Sequence, residues 1–182
     1  MYYARLWVIP ALFLTAGAGC GTGPVAPVLS DSRVYQNSTE GFRLLIPEGW
    51  NQTASSTLPP GKLRGEIFLT RYSLTTPETG ASFQVICMAE AESMDLETHH
   101  AGDSFGVAKW ESSQDRQTIK VDGVPGERFA YTATLDNRGM MKLVTCFRRN
   151  DRVYSFVGVG QASDENARQQ IERATSDIIW SK

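Results

Sequence analysis

The chain has 182 residues, 41% of them hydrophobic and 21% charged, with 18 lysines and arginines against 20 aspartates and glutamates. That apolar content excludes a disordered polymer, and a formal net charge of -2 gives no broad positive field for nucleic acid. Sixteen glycines and eight prolines follow no repeat, which excludes collagen-like and mucin-like chains.

The N-terminus carries Arg5, an apolar run over residues 6–16, and the small residues Gly17, Ala18 and Gly19 before Cys20. This is the layout of a secretory signal peptide over residues 1–19. A helix of that apolar length spans about 16 Å, against a hydrocarbon core of ~30 Å, and Pro10 interrupts it, so a permanent transmembrane helix is disfavoured. Ala16-Gly17-Ala18 fits release before Gly19, whereas Cys20 after Ala18-Gly19 resembles a bacterial lipobox, with Gly17 where leucine is usual. Lipidation of Cys20 leaves Cys87 and Cys146 as an even pair in an exported compartment, and two acyl chains suffice for stable anchoring. Residues 20–37 then read as lipidated cysteine and flexible tether, rich in Gly, Pro and Ser, with Val34 and Tyr35 as an alternative start of the domain. Residues 38–182 form one globular domain.

Gly41-Phe42-Arg43-Leu44-Leu45-Ile46 predicts the first strand, stopped by Pro47 and followed by a turn that delivers Trp50. Residues 51–65 read as a polar loop. Residues 66–72 and 81–91 read as strands separated by a turn at Thr75-Thr76-Pro77. In the second, Phe83, Val85, Cys87 and Ala89 share one face and Ile86 and Met88 the other, so the strand is central and covered on both sides. Met94, Ala101, Phe105 and Ala108 make a helical stripe over residues 94–110, with Ser93 as N-cap, although Gly102 and Gly106 each cost ~1 kcal/mol relative to alanine. Strands follow at residues 116–121, 124–135, 140–149 and 152–160. Their turns lie at Asp122-Gly123, at residues 136–139 and at Asn150-Asp151, where Asp, Asn and Gly tolerate the positive φ of tight hairpins. The last element is a helix capped by Ser163, with the stripe Ala167, Ile171, Ala174 and Ile178. The class is α+β, built on a mostly antiparallel sheet.

Candidate chemistry is sparse. His99 and His100 are adjacent on a helix, so their side chains diverge by about 100° and cannot share a metal as an i, i+4 pair does. Glu92, Asp95, Glu97 and Asp103 nearby read as a solvated face, and no metal or cofactor is assigned. No Gly-x-Ser-x-Gly elbow is present, and Cys87 and Cys146 fall mid-strand, as either a disulfide or two buried thiols. Gly158-Val159-Gly160 lacks the third glycine of a dinucleotide turn. Asn37-Ser38-Thr39 and Asn51-Gln52-Thr53 match the glycosylation pattern, which the bacterial-type export signal makes coincidental. Arg148, Arg149 and Arg152 surround the Asn150-Asp151 turn, a basic hairpin tip that could grip an anionic lipid headgroup or an acidic protein patch, or simply keep the tip soluble.

Gly41-Phe42 opening a strand that ends in Pro47-Glu48-Gly49-Trp50, then Val121-Asp122-Gly123-Val124-Pro125-Gly126, then Arg152-Val153-Tyr154-Ser155-Phe156 before a closing amphipathic helix, resembles the PsbP/Mog-like domains. The resemblance covers residues 38–182. It implies an antiparallel sheet flanked by helices on both faces, an α/β/α sandwich, and a mostly non-catalytic family: an extrinsic photosystem II subunit, a Ran-binding nuclear protein and bacterial lipoproteins of uncharacterised role. An exported chain with Cys20 is most similar to the last group. The expected role is therefore a lipid-anchored binding or accessory module of the bacterial cell envelope, on the outer side of the cytoplasmic membrane or at the outer membrane. Its partner would be an envelope protein or lipid rather than nucleic acid. The alternative is a carrier of a small apolar or lipid ligand in a cleft between sheet and helices.

Overall fold

The computed structural model describes residues 34–57, 63, 65–75, 80–89 and 94–181. The signal peptide, Cys20, the Thr75-Thr76-Pro77 turn beyond Thr75 and the Ser93 cap lie outside them. In chain order the elements are β1 (Val34–Asn37), β2 (Phe42–Leu45), β3 (Asn51–Ser55), β4 (Glu66–Thr75), β5 (Gly80–Ala89), α1 (Leu96–Ala101), β6 (Glu111–Ser112), β7 (Gln117–Val121), β8 (Val124–Leu135), β9 (Arg138–Arg149), β10 (Arg152–Gln161), α2 (Glu165–Ser176) and β11 (Ile179–Trp180). Among the described residues no helix is long and apolar enough to cross a membrane.

Local turn chemistry sets most of the connections. Asp122-Gly123, Asp136-Asn137 and Asn150-Asp151 have positive φ at both positions (48° and 81°, 49° and 61°, 54° and 57°). Turns of this hand match the twist of paired strands. They fold β7, β8, β9 and β10 into consecutive antiparallel pairs. The large sheet runs β3-β4-β5-β10-β9-β8-β6, with β7 also on β8, and a smaller sheet runs β1-β2-β11.

Both faces of β5 are buried, as its pattern predicts. Phe83, Val85 and Cys87 belong to a first core with Phe42, Trp50, Phe147, Phe156 and Trp180, together with Ala167, Ile171 and Ala174 of α2. Ile86 and Met88 belong to a second core with Leu96, Val107, Trp110, Phe129 and Tyr131. At Gly158 Ile171 of α2 packs directly on the strand: a Cβ there would lie 2.3 Å from Ile171 Cγ2.

Six expectations are corrected. The tether does not reach Asn37, because Val34–Asn37 pairs antiparallel with β2. The polar segment after Trp50 is not all loop, because Asn51–Ser55 pairs with β4 as a solvent-exposed edge strand. The helix expected over residues 94–110 is only Leu96–Ala101: Gly102 leaves it in an extended conformation, and Phe105 (φ 56°) and Gly106 (φ 76°) are left-handed. Asp95, not Ser93, caps it, and Asp164, not Ser163, caps α2 by accepting from Ala167 N at 2.9 Å. The Asp136 turn is also tighter than expected, with β9 starting at Arg138.

Candidate functional site

The second core is interrupted by polar side chains, and these surround a cavity of about 570 Å³. Its floor is a set of cross-strand neighbours. Arg71 stands opposite Gln84 and Phe68 opposite Ile86, Gln84 is opposite Val157, and Lys142 and Ser82 flank Val159 from either side. Its wall comes from His99 and His100 at the end of α1 and from Gly102, Asp103, Ser104 and Phe105 after it.

Two irregularities aim the lining. In β4 the register slips between Phe68 and Thr70, leaving Leu69 as an extra residue. Alternation alone would put Arg71 on the opposite face from Glu66 and Phe68. The bulge reverses the parity, so all three line the cavity while Leu69 is fully buried in the first core. On the wall, Ser104 and Val107 exchange both backbone hydrogen bonds at 3.0 Å. This closes a two-residue turn with Phe105 in the left-handed region, where a bulky residue is strained. The ring of Phe105 is thereby held near the Lys142 ammonium, 5.8 Å from its centroid.

Lys142 is the focus of the polar cluster. It is only 2% exposed. Its Nζ donates to His100 O (2.5 Å) and Ser104 Oγ (2.8 Å) and lies 5.2 and 5.7 Å from the Trp110 and Tyr131 rings. Burial pulls its pKa down to about 8, partly opposed by the Glu66 carboxylate. His99 Nε2 is 2.6 Å from Glu66 Oε1, and that hydrogen bond holds Glu66 below the usual carboxylate range. His100 is buried, its Nε2 is 3.0 Å from Ser155 Oγ, and burial, then the charges of His99 and Lys142, lower its pKa to about 3. Ser155 Oγ is also 3.3 Å from Cys146 Sγ. This Ser-His contact resembles a nucleophilic pair but has no access, since Ser155 is fully buried.

His99, His100 and Asp103 share the cavity wall, but the cysteines and arginines singled out in the sequence are dispersed. Cys87 and Cys146 are free and buried, so the disulfide alternative is not what forms. The strand order β5-β10-β9 puts a whole strand between them, and Cys87 belongs to the first core while Cys146 belongs to the second. Their Cα atoms are thus about two strand spacings, ~10 Å, apart with Cβ vectors to opposite faces, beyond disulfide reach. Burial pushes both thiols up to about 12. The three arginines do not make one basic patch either. Arg149 donates to Gly41 O (3.3 Å) and Ser181 O and stacks 5.3 Å from the Trp180 ring. Arg152 Nη1 binds both oxygens of the buried Glu40 at 2.5 Å, and Arg148 donates to Met94 O at 3.3 Å. Alternation along β9 sends Arg148 and Arg149 to opposite faces.

The acidic residues near the histidines also separate. Asp95 caps α1, Glu97 Oε1 accepts from Ser112 Oγ at 3.3 Å, Asp103 stands at the cavity wall, and Glu92 lies outside the described residues. Arg71, Gln84, Phe105 and Lys142 were missed as site residues. The signal for two of them was present: Gln84 between Phe83 and Val85, and Lys142 between Met141 and Leu143, are lone polar side chains inside apolar strands.

No protein-family model and no curated protein sequence matches the chain. Solved structures do. Cyanobacterial PsbP (CyanoP) from Synechocystis superposes with a TM-score of 0.58 at 14% identity, covering 87% of this chain and 98% of that one. The Ran-binding protein Mog1p of Saccharomyces cerevisiae superposes with a TM-score of 0.55 at 13% identity, covering 81% and 94% respectively. Identities this low establish the fold alone. With its antiparallel sheet, two described helices and these two structural likenesses, the body of the chain is a domain of the PsbP/Mog-like fold.

Proposed function

We propose that this chain is an exported, non-catalytic binding or accessory module of the bacterial cell envelope, anchored through a diacylated Cys20. On this reading the second core is its binding side. The observation that carries the reading is that the reactive side-chain types around the cavity are committed to each other: His100 to Ser155, His99 to Glu66, and Lys142 to His100 O and Ser104 Oγ. These contacts fix the side chains as parts of a pocket wall, and the one Ser-His pair among them is buried away from the cavity at Ser155. The likeness to Mog1p, a Ran-binding protein, supports a binding role for the fold without naming a partner. The layering we infer, α2 against one face of the large sheet and α1 against the other, is supported by the membership of the two cores.

Crosslinking in the native envelope followed by pulldown tests the role; a specific envelope partner is the expected result, and recovery of none contradicts it. Mass spectrometry of the mature N-terminus tests the anchor separately: an acylated Cys20 is expected, and an unmodified Gly19 start removes it. A second reading, a carrier of a small ligand, is favoured by the cavity itself, whose volume is within the range of small-molecule sites.

A further inference from the structure

The cavity lining has a chemical bias. Gln84 is 4% exposed, and its Oε1 accepts from Arg71 Nε at 3.1 Å. Arginine only donates, so this contact fixes the amide with Nε2 as its remaining, donating end. Lys142 Nζ uses two of its three donors, on His100 O and Ser104 Oγ. The Arg71 guanidinium retains its Nη donors beyond the Nε bond. The lining also holds two carboxylates, Glu66, whose Oε1 is held by His99, and Asp103 in the wall after α1. The excess of N–H donors over acceptors is therefore local to the floor around Arg71, Gln84 and Lys142. Phe68, Ile86, Phe105 and Val157 supply apolar surface beside them.

We propose that this cavity binds a small organic carboxylate with an apolar body, its carboxylate received by Arg71, Gln84 and Lys142 and its body by Phe68, Ile86, Phe105 and Val157. The proposal deepens the carrier reading by naming the ligand class. The bulge at Leu69 is the independent observation behind it: the chain departs from regular pairing at the residue that brings Arg71 onto the same face as Gln84 and Lys142. Arg71 also lies 4.8 Å over the Phe68 ring, so the charged and apolar parts of the lining meet at one edge.

The test is calorimetric titration of the full-length protein with sodium octanoate, 1-octanol and inorganic phosphate in separate arms. One-to-one binding of octanoate alone is expected. Arg71→Gln should weaken it by about tenfold or more, the loss of a charged hydrogen bond, and Gln84→Leu by several-fold. Arg71 is partly buried, and a glutamine amide in its place keeps an N–H that can donate to Gln84 Oε1, so the melting temperature should stay near that of the parent. Octanol binding as tightly as octanoate would overturn the carboxylate assignment while leaving the carrier reading. Phosphate binding as tightly would overturn the apolar body. Binding of none would overturn both, and octanoate affinity unchanged in Arg71→Gln would overturn the site.

Discussion

The two cores on either side of β5 are built from the same strands but composed differently. The first is aromatic and closed: Phe42, Tyr154, Phe156, Phe147 and Trp180 meet edge to face or tilted at centroid separations of 5.3 to 6.3 Å. Its buried charge is fully paired, since Glu40 receives Arg152 and the Tyr154 hydroxyl together. The second buries Gln84, His100, Lys142 and Ser155 beside a cavity. Burying such groups costs free energy unless every one is hydrogen-bonded, and a cavity forgoes packing. A chain that fills one side of its sheet and leaves polar space on the other places stability on the first and, on the proposed function, binding on the second.

That contrast is breakable by mutation. Trp180→Ala, in the first core, should cost about 3 to 5 kcal/mol in denaturant unfolding, because a large ring leaves a space its neighbours cannot fill. Phe105→Gly, in the cavity wall, should change stability by about 1 kcal/mol or less, since the lost ring contacts are offset by relief of the left-handed backbone. Equal costs would refute the division. Acid sharpens it. His100 has its pKa lowered to about 3 in the folded state, so between its unfolded value near 6.5 and pH 3 the unfolded chain binds the extra proton. Stability should therefore fall as pH drops through that window, by up to about 1.4 kcal/mol per pH unit, with Glu66 adding in the same direction at its lower end. His100→Gln should flatten the upper part of the profile, measured by urea melts from pH 7 to 4.

Gly158→Ala drives a methyl into Ile171 of α2 and should cost about 1 to 3 kcal/mol. Its readout is the thermal midpoint. A smaller effect is expected from Asp164→Ala, which removes the α2 cap bond to Ala167 N and should cost about 1 kcal/mol by the same measurement.

What could be seen in the sequence follows from the range of the interactions. Asp122-Gly123 and Asn150-Asp151 announce their hairpins because the turn depends on two residues, and the stripe Ala167, Ile171, Ala174 announces α2 because it repeats within one element. β3 was invisible because all five of its residues are exposed, leaving no alternation to detect. The fate of Cys87 and Cys146 depended on β10 lying between their strands, which no local signal carries. The cavity was hidden for the same reason: it needs the bulge at Leu69, the register that sets Arg71 against Gln84, and the strand order that brings Lys142 to the same face.

The most direct test of the division of labour is residue-by-residue mapping of amide chemical shifts on the ¹⁵N-labelled protein as octanoate is added. The account predicts shifts confined to Arg71, Ser82, Gln84, Gly102, Phe105 and their neighbours, with the amides of α2 unmoved. Shifts centred on Ala167, Ile171 and Ala174, or none anywhere, would contradict it.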